Sequence, residues 1–202
     1  MSAATPSASV SPVAHRRVLV GLSGGIAAYK TAALVSRLAQ AGAEVRVIMT
    51  EAATRFITPL TLQSLSGHPV LTHMWDHDDR PDSQHVGLAR WAELFVVAPC
   101  SADMLAKLAG GFTPDLVSLT ACALPAGPGD SGGTPLLVAP AMNADMWADP
   151  IVQRNLTTLR DLLPHFHEVG PGEGWQACRT SGSGRMSEPD DIFARVVDLL
   201  PS

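Results

Sequence analysis

The chain has 202 residues, of which 46% are hydrophobic and 16% charged, and its formal net charge is −5. This composition is typical of one globular domain that is large enough to bury a core. No basic stripe is available to neutralise the phosphates of a nucleic acid. No apolar run approaches the roughly 18 residues that a membrane span requires. We therefore predict a protein that binds neither nucleic acid nor membrane.

The cysteines and the N-terminal segment indicate the cellular compartment and the domain boundary. Cys100, Cys122 and Cys178 show no CxxC spacing, which predicts neither a disulfide framework nor a zinc site and favours a cytoplasmic protein. The opening residues are rich in Ser, Ala and Pro, and their basic pair follows them, unlike the arrangement of a signal peptide. We predict a disordered tail over residues 1–15 and a single domain over residues 16–202.

The first elements in chain order alternate strand and helix. Residues 17–21 (RVLVG) predict a strand, and residues 26–41 carry apolar side chains at helical spacing. Gly42 ends this helix, residues 44–49 (EVRVIM) predict a second strand, and Thr50 begins a turn into a short helix. The unit is therefore βαβ.

The same alternation continues to the end of the chain. Residues 94–98 (LFVVA) are apolar throughout, which predicts a central strand covered on both faces, and residues 135–139 (PLLVA) predict the next strand. Residues 125–134 predict a loop. The predicted helices cover residues 87–92, 102–109, 115–123, 142–163 with a break at Pro150, and 190–200. This pattern predicts an α/β fold with a doubly wound, Rossmann-like (flavodoxin-like) parallel sheet, whose ligand site lies at the carboxyl ends of the strands.

The turn over residues 21–26 (GLSGGI) follows the first strand and opens a helix, so its backbone N–H groups can bind a phosphate. It differs from the dinucleotide motif GxGxxG, because Ser23 stands at the place of the second glycine. Lys30 and Thr31 lack the glycine frame of a P-loop. Considered alone, residues 21–26 can also be a tight turn that binds no ligand.

Two further turns come after the next strands. Residues 99–104 (PCSADM) begin with a proline that ends strand pairing, and Ser101 can cap the following helix, which is also an ordinary structural role. Residues 140–147 (PAMNADMW) place Asn143 among two thioethers and an indole. Those apolar residues are typical of a core, but the four hydrogen-bonding sites of Asn143 need partners.

Residues 174–186 (GWQACRTSGSGRM) are too rich in glycine for a helix and predict a flap or a loop over a site. Cys178 beside an arginine can be reactive there, although a lone cysteine is more often buried. His85 begins the helix before the central strand, where a single histidine is more often structural. His73 and His77 lie among aspartates without a further ligand set, so we predict a solvated loop and no metal.

Taken together, five segments resemble the homo-oligomeric flavin-containing cysteine decarboxylases, in the same order along the chain. They are residues 24–30 (GGIAAYK), His85, residues 99–102 (PCSA), residues 140–147 and residues 177–186. The resemblance implies FMN as the cofactor and a small-molecule substrate. It also implies a homo-oligomer, a trimer or a dodecamer of trimers, with sites between subunits.

The resemblance further implies roles for single residues. His85 is in the position of the catalytic base, Asn143 in that of the residue that binds the substrate carboxylate or amide, and Cys178 in that of a proton donor. The implied cofactor-binding residues are Ser23, Gly24, Gly25, Ile26, Thr50, Ser101, Ala102, Asp103, Met104 and Met142. Further implied substrate-binding residues are Ala177, Arg185 and Met186.

The implied reaction is the FMN-dependent decarboxylation of 4′-phosphopantothenoylcysteine to 4′-phosphopantetheine, in coenzyme A biosynthesis. Oxidation of the cysteine thiol to a thioaldehyde creates the electron sink that carbon dioxide loss needs. The resulting enethiol is then reduced to the saturated thiol. Cys178 favours this reaction, because enzymes that stop at the enethiol need no such proton donor.

Three departures from the family leave other functions open. Asp103-Met104 stands where the family usually has Asn-Thr, Arg179 stands where it has glycine, and no synthetase domain follows. One alternative is oxidative decarboxylation of a peptide C-terminal cysteine to an enethiol, and another is a flavin-binding regulatory subunit without activity. A prenyl-transferring flavin relative and a nucleotide-dependent oxidoreductase fit the motifs less well.

Overall fold

The computed structural model describes residues 11–75, 83–126, 133–175, 177, 179 and 181–200. Five parallel strands form the main sheet. They are β1 (Arg17–Leu22), β2 (Glu44–Met49), β3 (Leu94–Cys100), β4 (Leu136–Pro140) and β5 (Phe166–Glu168). Their order across the sheet is β2-β1-β3-β4-β5. This is the order of flavodoxin-like folds, so the predicted fold class is confirmed.

Helices cover both faces of this sheet. They are α1 (Ala28–Gln40), α2 (Glu51–Thr54), α3 (Pro59–Ser66), α4 (Gln84–Trp91), α5 (Ala102–Gly110), α6 (Leu116–Cys122), α7 (Ala144–Ala148), α8 (Pro150–Leu162) and α9 (Pro189–Leu199). Successive strand side chains point to opposite faces. Val18 and Val20 therefore join the core under α1 and α9, whereas Leu19 and Phe95 join the core under α5, α6 and α8.

A separate antiparallel hairpin stands at the position of the predicted flap. It consists of β6 (Gly172–Trp175) and β7 (Ser181–Arg185), and we call these two strands the flap hairpin. The segment that joins them contains Gln176, Cys178 and Thr180, which lie outside the described residues. The sequence predicts a flap or a loop here, and the structure shows that its two sides are paired strands.

Two boundaries differ from the prediction. Strand β3 does not end at Pro99, because Cys100 pairs with Pro140 beyond a shift in register. Pro99 itself follows a cis peptide bond. At the N-terminal end, Val13 is fully buried in the core and the His15 N–H donates to the Gly42 carbonyl at 2.8 Å. Residues 11–15, which the sequence assigns to the tail, are therefore part of the fold, and residues 1–10 lie outside the described residues.

None of the helices in the described ranges combines the length and the apolar character that crossing a lipid bilayer requires.

The predicted loop over residues 125–134 is closed at its base, where the Thr134 N–H donates to the Pro125 carbonyl at 3.0 Å. Residues 127–132 of this loop lie outside the described residues.

Candidate functional site

The topological switch point of the sheet lies between β1 and β3. The chain leaves β1 toward β2 on one side, and it returns to build β3, β4 and β5 on the other side. Ligands of open α/β sheets bind at the carboxyl ends of the strands that flank such a point. The residues that follow β1 and β3 are Ser23 and Ser101, so two of the predicted turns meet at this position.

Ser23 joins these two turns through its hydroxyl group. Its Oγ donates to the Pro99 carbonyl at 2.7 Å and accepts from the Ser101 N–H at 2.9 Å. The side chain is buried, and its backbone N–H also donates to the Pro99 carbonyl. The hydroxyl proton of Ser23 is therefore held by the protein, and its role here is to fix the two turns relative to each other.

The glycines of the first turn have different surroundings. A Cβ at Gly24 would lie 2.7 Å from the Ala52 Cβ, so the close approach of α2 excludes a side chain there. A Cβ at Gly25 would meet only the Pro99 side chain, at an ordinary 3.9 Å. The packing of the described residues therefore leaves room at Gly25 for a ligand to approach the backbone.

The start of α1 has free donors. Its N-cap is Ala27, which provides no side-chain hydrogen bond. The N–H groups of Gly25 and Ile26 have no acceptor among the described residues. Unsatisfied N–H groups and the positive end of the helix dipole favour an anion at such a place.

The start of α5 is arranged differently. The Ser101 Oγ accepts from the Met104 N–H at 3.2 Å, so the predicted cap is confirmed. The Met104 side chain is fully buried in the core, and its role in binding the cofactor stays a prediction. Asp103 points to solvent and pairs with Lys107, with 2.7 Å between Oδ2 and Nζ. The N–H groups of Ala102 and Asp103 remain as donors in the described structure.

Thr50 brings a third turn to the same edge. Its N–H donates to the Leu22 carbonyl at 2.9 Å, and its Oγ1 accepts from the Ala53 N–H at 3.2 Å as the N-cap of α2. The hydroxyl proton of Thr50 is not used by these bonds. It can therefore be donated to a ligand bound beside the first turn.

Asn143 follows β4 and caps α7. Its Oδ1 accepts from the Met146 N–H at 2.8 Å, which leaves the two Nδ2 hydrogens as donors. The preceding Met142, which is half-buried, donates its N–H to the Gly184 carbonyl at 2.9 Å. A Cβ at Gly182 would lie 2.8 Å from the Ala144 Cβ. The flap hairpin therefore packs closely on the Asn143 turn.

The predicted substrate-binding residues of the flap segment lie in different environments. Ala177 is exposed, and Arg185 pairs with Glu188, with 2.6 Å between Nη2 and Oε1. The Met186 side chain is 2% exposed and belongs to the core, and its role in binding the substrate stays a prediction. Cys178 lies outside the described residues, so its role stays a prediction.

His85 lies in the first turn of α4 and is partly exposed. A crossover helix runs against the strands that it connects, so its first turn lies at the same edge of the sheet as the other turns. Within the described ranges, no hydrogen bond or ion pair joins the His85 ring to the Asn143 turn or to the flap hairpin. The structure therefore brings the turns after β1, β3 and β4 together, but it shows no polar contact from them to His85.

The other cysteines are poor candidates for chemistry. Burial raises the pKa of the Cys100 thiol far above its ordinary value, so Cys100 stays a neutral thiol in the core. Cys122 is exposed at the end of α6. The described part of the chain contains no group of three His, Cys, Asp or Glu side chains that could hold a metal ion.

Two buried polar residues of α1 escape the sequence analysis. The Thr31 Oγ1 donates to the Ala98 carbonyl at 2.8 Å, and the Lys30 Nζ donates to the Met186 carbonyl at 2.8 Å. In the sequence, this pair resembles only an incomplete P-loop. The sequence could have indicated them, because both lie on the inner face of α1 among apolar residues, where a charged group needs partners.

Free N–H groups at a helix start beside the switch point define an α/β protein of the nucleotide-binding type. Comparison with known families then identifies the group. A family model described as Flavoprotein matches residues 7–201. The chain belongs to this family, which confirms the predicted resemblance.

Curated relatives include the coenzyme A biosynthesis bifunctional protein CoaBC of Haemophilus influenzae. It is 44% identical over 92% of this chain and 44% of its own length. The protein of the same name from Escherichia coli (strain K12) is 45% identical over 92% of the chain and 43% of its own length. The chain thus spans less than half the length of these relatives.

Solved structures with the same fold include a PPC decarboxylase mutant complexed with pantothenoylaminoethenethiol. It is 32% identical, with a TM-score of 0.76 over 90% of this chain and 96% of that chain. The FMN-dependent cysteine decarboxylase SpaF is 28% identical, with a TM-score of 0.76 over 93% of this chain and 97% of that chain.

Proposed function

We propose that this protein catalyses the FMN-dependent decarboxylation of 4′-phosphopantothenoylcysteine to 4′-phosphopantetheine, in the cytoplasm. The observation that carries the proposal is that the Asn143 turn, with two free amide hydrogens, and the flap hairpin lie at the same sheet edge as the uncapped start of α1. Similarity to the two CoaBC proteins and to the PPC decarboxylase mutant supports the substrate.

The residues at the switch point fit FMN. The free N–H groups of Gly25 and Ile26, with the Thr50 hydroxyl, are suited to a phosphate, and the space at Gly25 allows its close approach. The Ile26 side chain is exposed beside this turn and can contact an apolar ring. When bound, FMN supplies the two-electron oxidation of the substrate thiol that makes carbon dioxide loss feasible.

The chain's own residues bind the substrate and move its protons. The Asn143 Nδ2 group donates to the substrate carboxylate, and its orientation is fixed because Oδ1 is held by the Met146 N–H. His85 accepts the proton removed during thiol oxidation. Cys178 donates a proton when the enethiol is reduced. Docking of the flap hairpin on the Asn143 turn keeps water away from the substrate.

We also propose a homo-oligomer, a trimer or a dodecamer of trimers, whose sites form between subunits. Two observations support it. The described chain provides no polar contact between His85 and the Asn143 turn, although both roles belong to one site. Large apolar side chains are exposed around α1 and α3, at Ile26, Tyr29, Phe56 and Leu60. Clustered exposed apolar side chains are typical of an interface.

The deciding experiment incubates the purified, FMN-loaded protein with 4′-phosphopantothenoylcysteine and analyses the product by mass spectrometry. We expect carbon dioxide release and the saturated thiol. His85→Asn should abolish both, and Cys178→Ser should accumulate the enethiol, which is two hydrogens poorer. His68→Asn, in the loop after α3, is the matched control and should react like the unaltered protein. Absence of FMN binding or of product would overturn the proposal.

A second candidate function is the decarboxylation of a peptide that ends in cysteine. The similarity to the cysteine decarboxylase SpaF favours it, because that TM-score equals the one to the PPC decarboxylase mutant. The same assay with a peptide ending in cysteine separates the two functions. Reaction of the peptide alone would establish this second function instead.

A further inference from the structure

Lys30 is a buried charge that the proposed chemistry does not use. It lies in the first turn of α1 and is 4% exposed. Its Nζ donates to the Met186 carbonyl at 2.8 Å and to the Glu188 Oε1 at 3.0 Å. Burying an ammonium group is costly unless the group is paired and hydrogen-bonded. The position of Lys30 therefore depends on both of these partners.

Both partners follow the flap hairpin closely: Met186 comes directly after β7, and Glu188 is the N-cap residue of α9. Glu188 Oε1 also accepts from Arg185 Nη2 at 2.6 Å, and Arg185 is the last residue of β7. The hydrogen bond from Lys30 is the main cause that lowers the pKa of the Glu188 carboxyl group. One carboxylate thus joins the C-terminal end of the flap hairpin to α1.

The same turn of α1 is tied to the cofactor side of the site. The Lys30 N–H donates to the Ala27 carbonyl at 2.9 Å, and Ala27 is the N-cap that leaves the helix start open. The next residue, Thr31, is fully buried, and its Oγ1 donates to the Ala98 carbonyl at 2.8 Å. Two consecutive side chains thus link the start of α1 to the segment directly after β7 and to the end of β3.

We propose that Lys30 is a positioning residue that couples the anion-binding turn over residues 24–27 to the flap hairpin. A phosphate held by the open N–H groups of this turn restricts the first turn of α1, and Lys30 transmits the restriction to Met186 and Glu188. The flap hairpin is then held more firmly when the cofactor is bound. The identity of the cofactor as FMN rests on the proposed function.

Hydrogen exchange of the backbone amides in Gly172–Trp175 and Ser181–Arg185, followed by mass spectrometry, tests this coupling without any turnover. In the unaltered protein, we expect FMN to slow exchange in both strands. In Lys30→Met, exchange without FMN should be about tenfold faster or more, because the segment after β7 loses the ammonium group that binds the Met186 carbonyl and the Glu188 carboxylate. FMN should still bind, measured by titration of flavin fluorescence, but should no longer slow exchange in the hairpin.

Arg37→Met is the matched control. Arg37 is on the same helix and pairs with Asp190 of α9, but this pair is exposed and does not touch the flap hairpin. This variant should keep the full response to FMN. A loss of the response in Arg37→Met as well would overturn the specific role of Lys30. An equal response to FMN in Lys30→Met and the unaltered protein would also overturn it.

Glu188→Gln keeps the test decisive if Lys30→Met does not fold. Its side chain is 51% exposed, so the variant should fold, and it weakens one of the two bonds of the Lys30 ammonium. We expect faster exchange in the hairpin and a smaller FMN effect, and unchanged exchange would overturn the coupling. If the unaltered protein bound no FMN, the proposed function would fail, while exchange without FMN would still measure whether Lys30 fastens the flap hairpin.

Discussion

Asn143 has two separate tasks within one side chain. Its Oδ1 caps α7 through the Met146 N–H, and its Nδ2 group is left for a ligand. The cap fixes the side-chain dihedral angles, so the free donors are held in one direction before a substrate arrives. A side chain that is ordered in advance loses less conformational entropy when it binds.

Asn143→Asp separates the two tasks. Asp caps a helix about as well as Asn, so we expect the midpoint of thermal unfolding to change little. The donors are replaced by a carboxylate that repels the substrate carboxylate, so the KM should rise by about tenfold or more, which is about 1.4 kcal/mol. Steady-state kinetics and thermal unfolding of the same preparation measure both effects.

The reverse exchange at another helix start is the control. Asp149 caps α8 by accepting from the Ile151 N–H at 2.8 Å. Asp149→Asn should leave both KM and thermal stability close to those of the unaltered protein. A large loss of stability in Asn143→Asp with unchanged KM would show that Asn143 is only a cap.

Residue-level prediction from the sequence succeeds where the cause is local. The caps at Thr50 and Ser101 depend on a side chain and an N–H group three residues later, so short-range rules identify them. Met104 and Met186 were assigned to the site from the family register, which gives a position along the chain but no side-chain direction. Both side chains lie in the core.

The flap hairpin is an element whose stability comes from outside itself. Four of its nine strand residues are glycine, and a two-stranded hairpin is marginal in water. Contacts with the Asn143 turn, together with the bonds from Lys30 of α1 to Met186 and Glu188 just after β7, therefore hold it in place. Because those contacts join residues that are distant in sequence, composition alone predicts a flap or a loop and not paired strands.

Gly182→Ala tests the docking of this element. The new Cβ would lie 2.8 Å from the Ala144 Cβ, so the flap hairpin must shift away from the Asn143 turn. Overpacking of this kind costs about 1–3 kcal/mol, so we expect kcat/KM to fall by about ten- to hundredfold. FMN affinity should change much less, and a titration of flavin fluorescence measures it.

Gly172→Ala is the control within the same hairpin. Its Cβ would have no neighbour nearer than the Arg185 carbonyl at 3.9 Å, so activity should stay within about twofold. Equal loss of activity in both variants would show that any glycine substitution disturbs the hairpin. The loss in Gly182→Ala could then not be assigned to the contact with Ala144.

At the scale of the whole molecule, the sheet follows closely from the sequence. The observed β2 has the predicted limits Glu44–Met49. Its alternation of polar and apolar residues, followed by an apolar end, is typical of a strand and fits no other element. Strand β5 was not predicted, since it has three residues of which only Phe166 is apolar. It exists because the edge of β4 offers free backbone groups for pairing.

Two histidines at β5, His165 just before the strand and His167 within it, also give the molecule a dependence on pH. Burial lowers the pKa of His165 below its ordinary value of 6.5, and burial followed by repulsion from Arg195 and His165 lowers that of His167. The folded state then binds fewer protons than the unfolded state just below pH 6.5. We therefore expect the free energy of unfolding to fall as the pH drops from about 6.5 through the lowered pKa values.

Denaturant unfolding at a series of pH values between about 7.5 and 5 measures this dependence. His165→Gln should flatten the curve, because it removes one of the two groups with a lowered pKa. His68→Gln removes a histidine that is not one of this pair and should keep the slope of the unaltered protein. An unchanged slope in His165→Gln would contradict the assignment.

The bond from Lys30 to the Met186 carbonyl connects residues that are 156 positions apart. Domains are synthesised from the N-terminus at about 5–20 residues per second, and contacts of this separation close late because the entropy of loop closure must first be overcome. On the ribosome, β1 to β4 can pair before the flap hairpin has a place to attach. The cofactor turn and its cover therefore assemble in two stages, and the second stage requires that the segment around Met186 has already been synthesised.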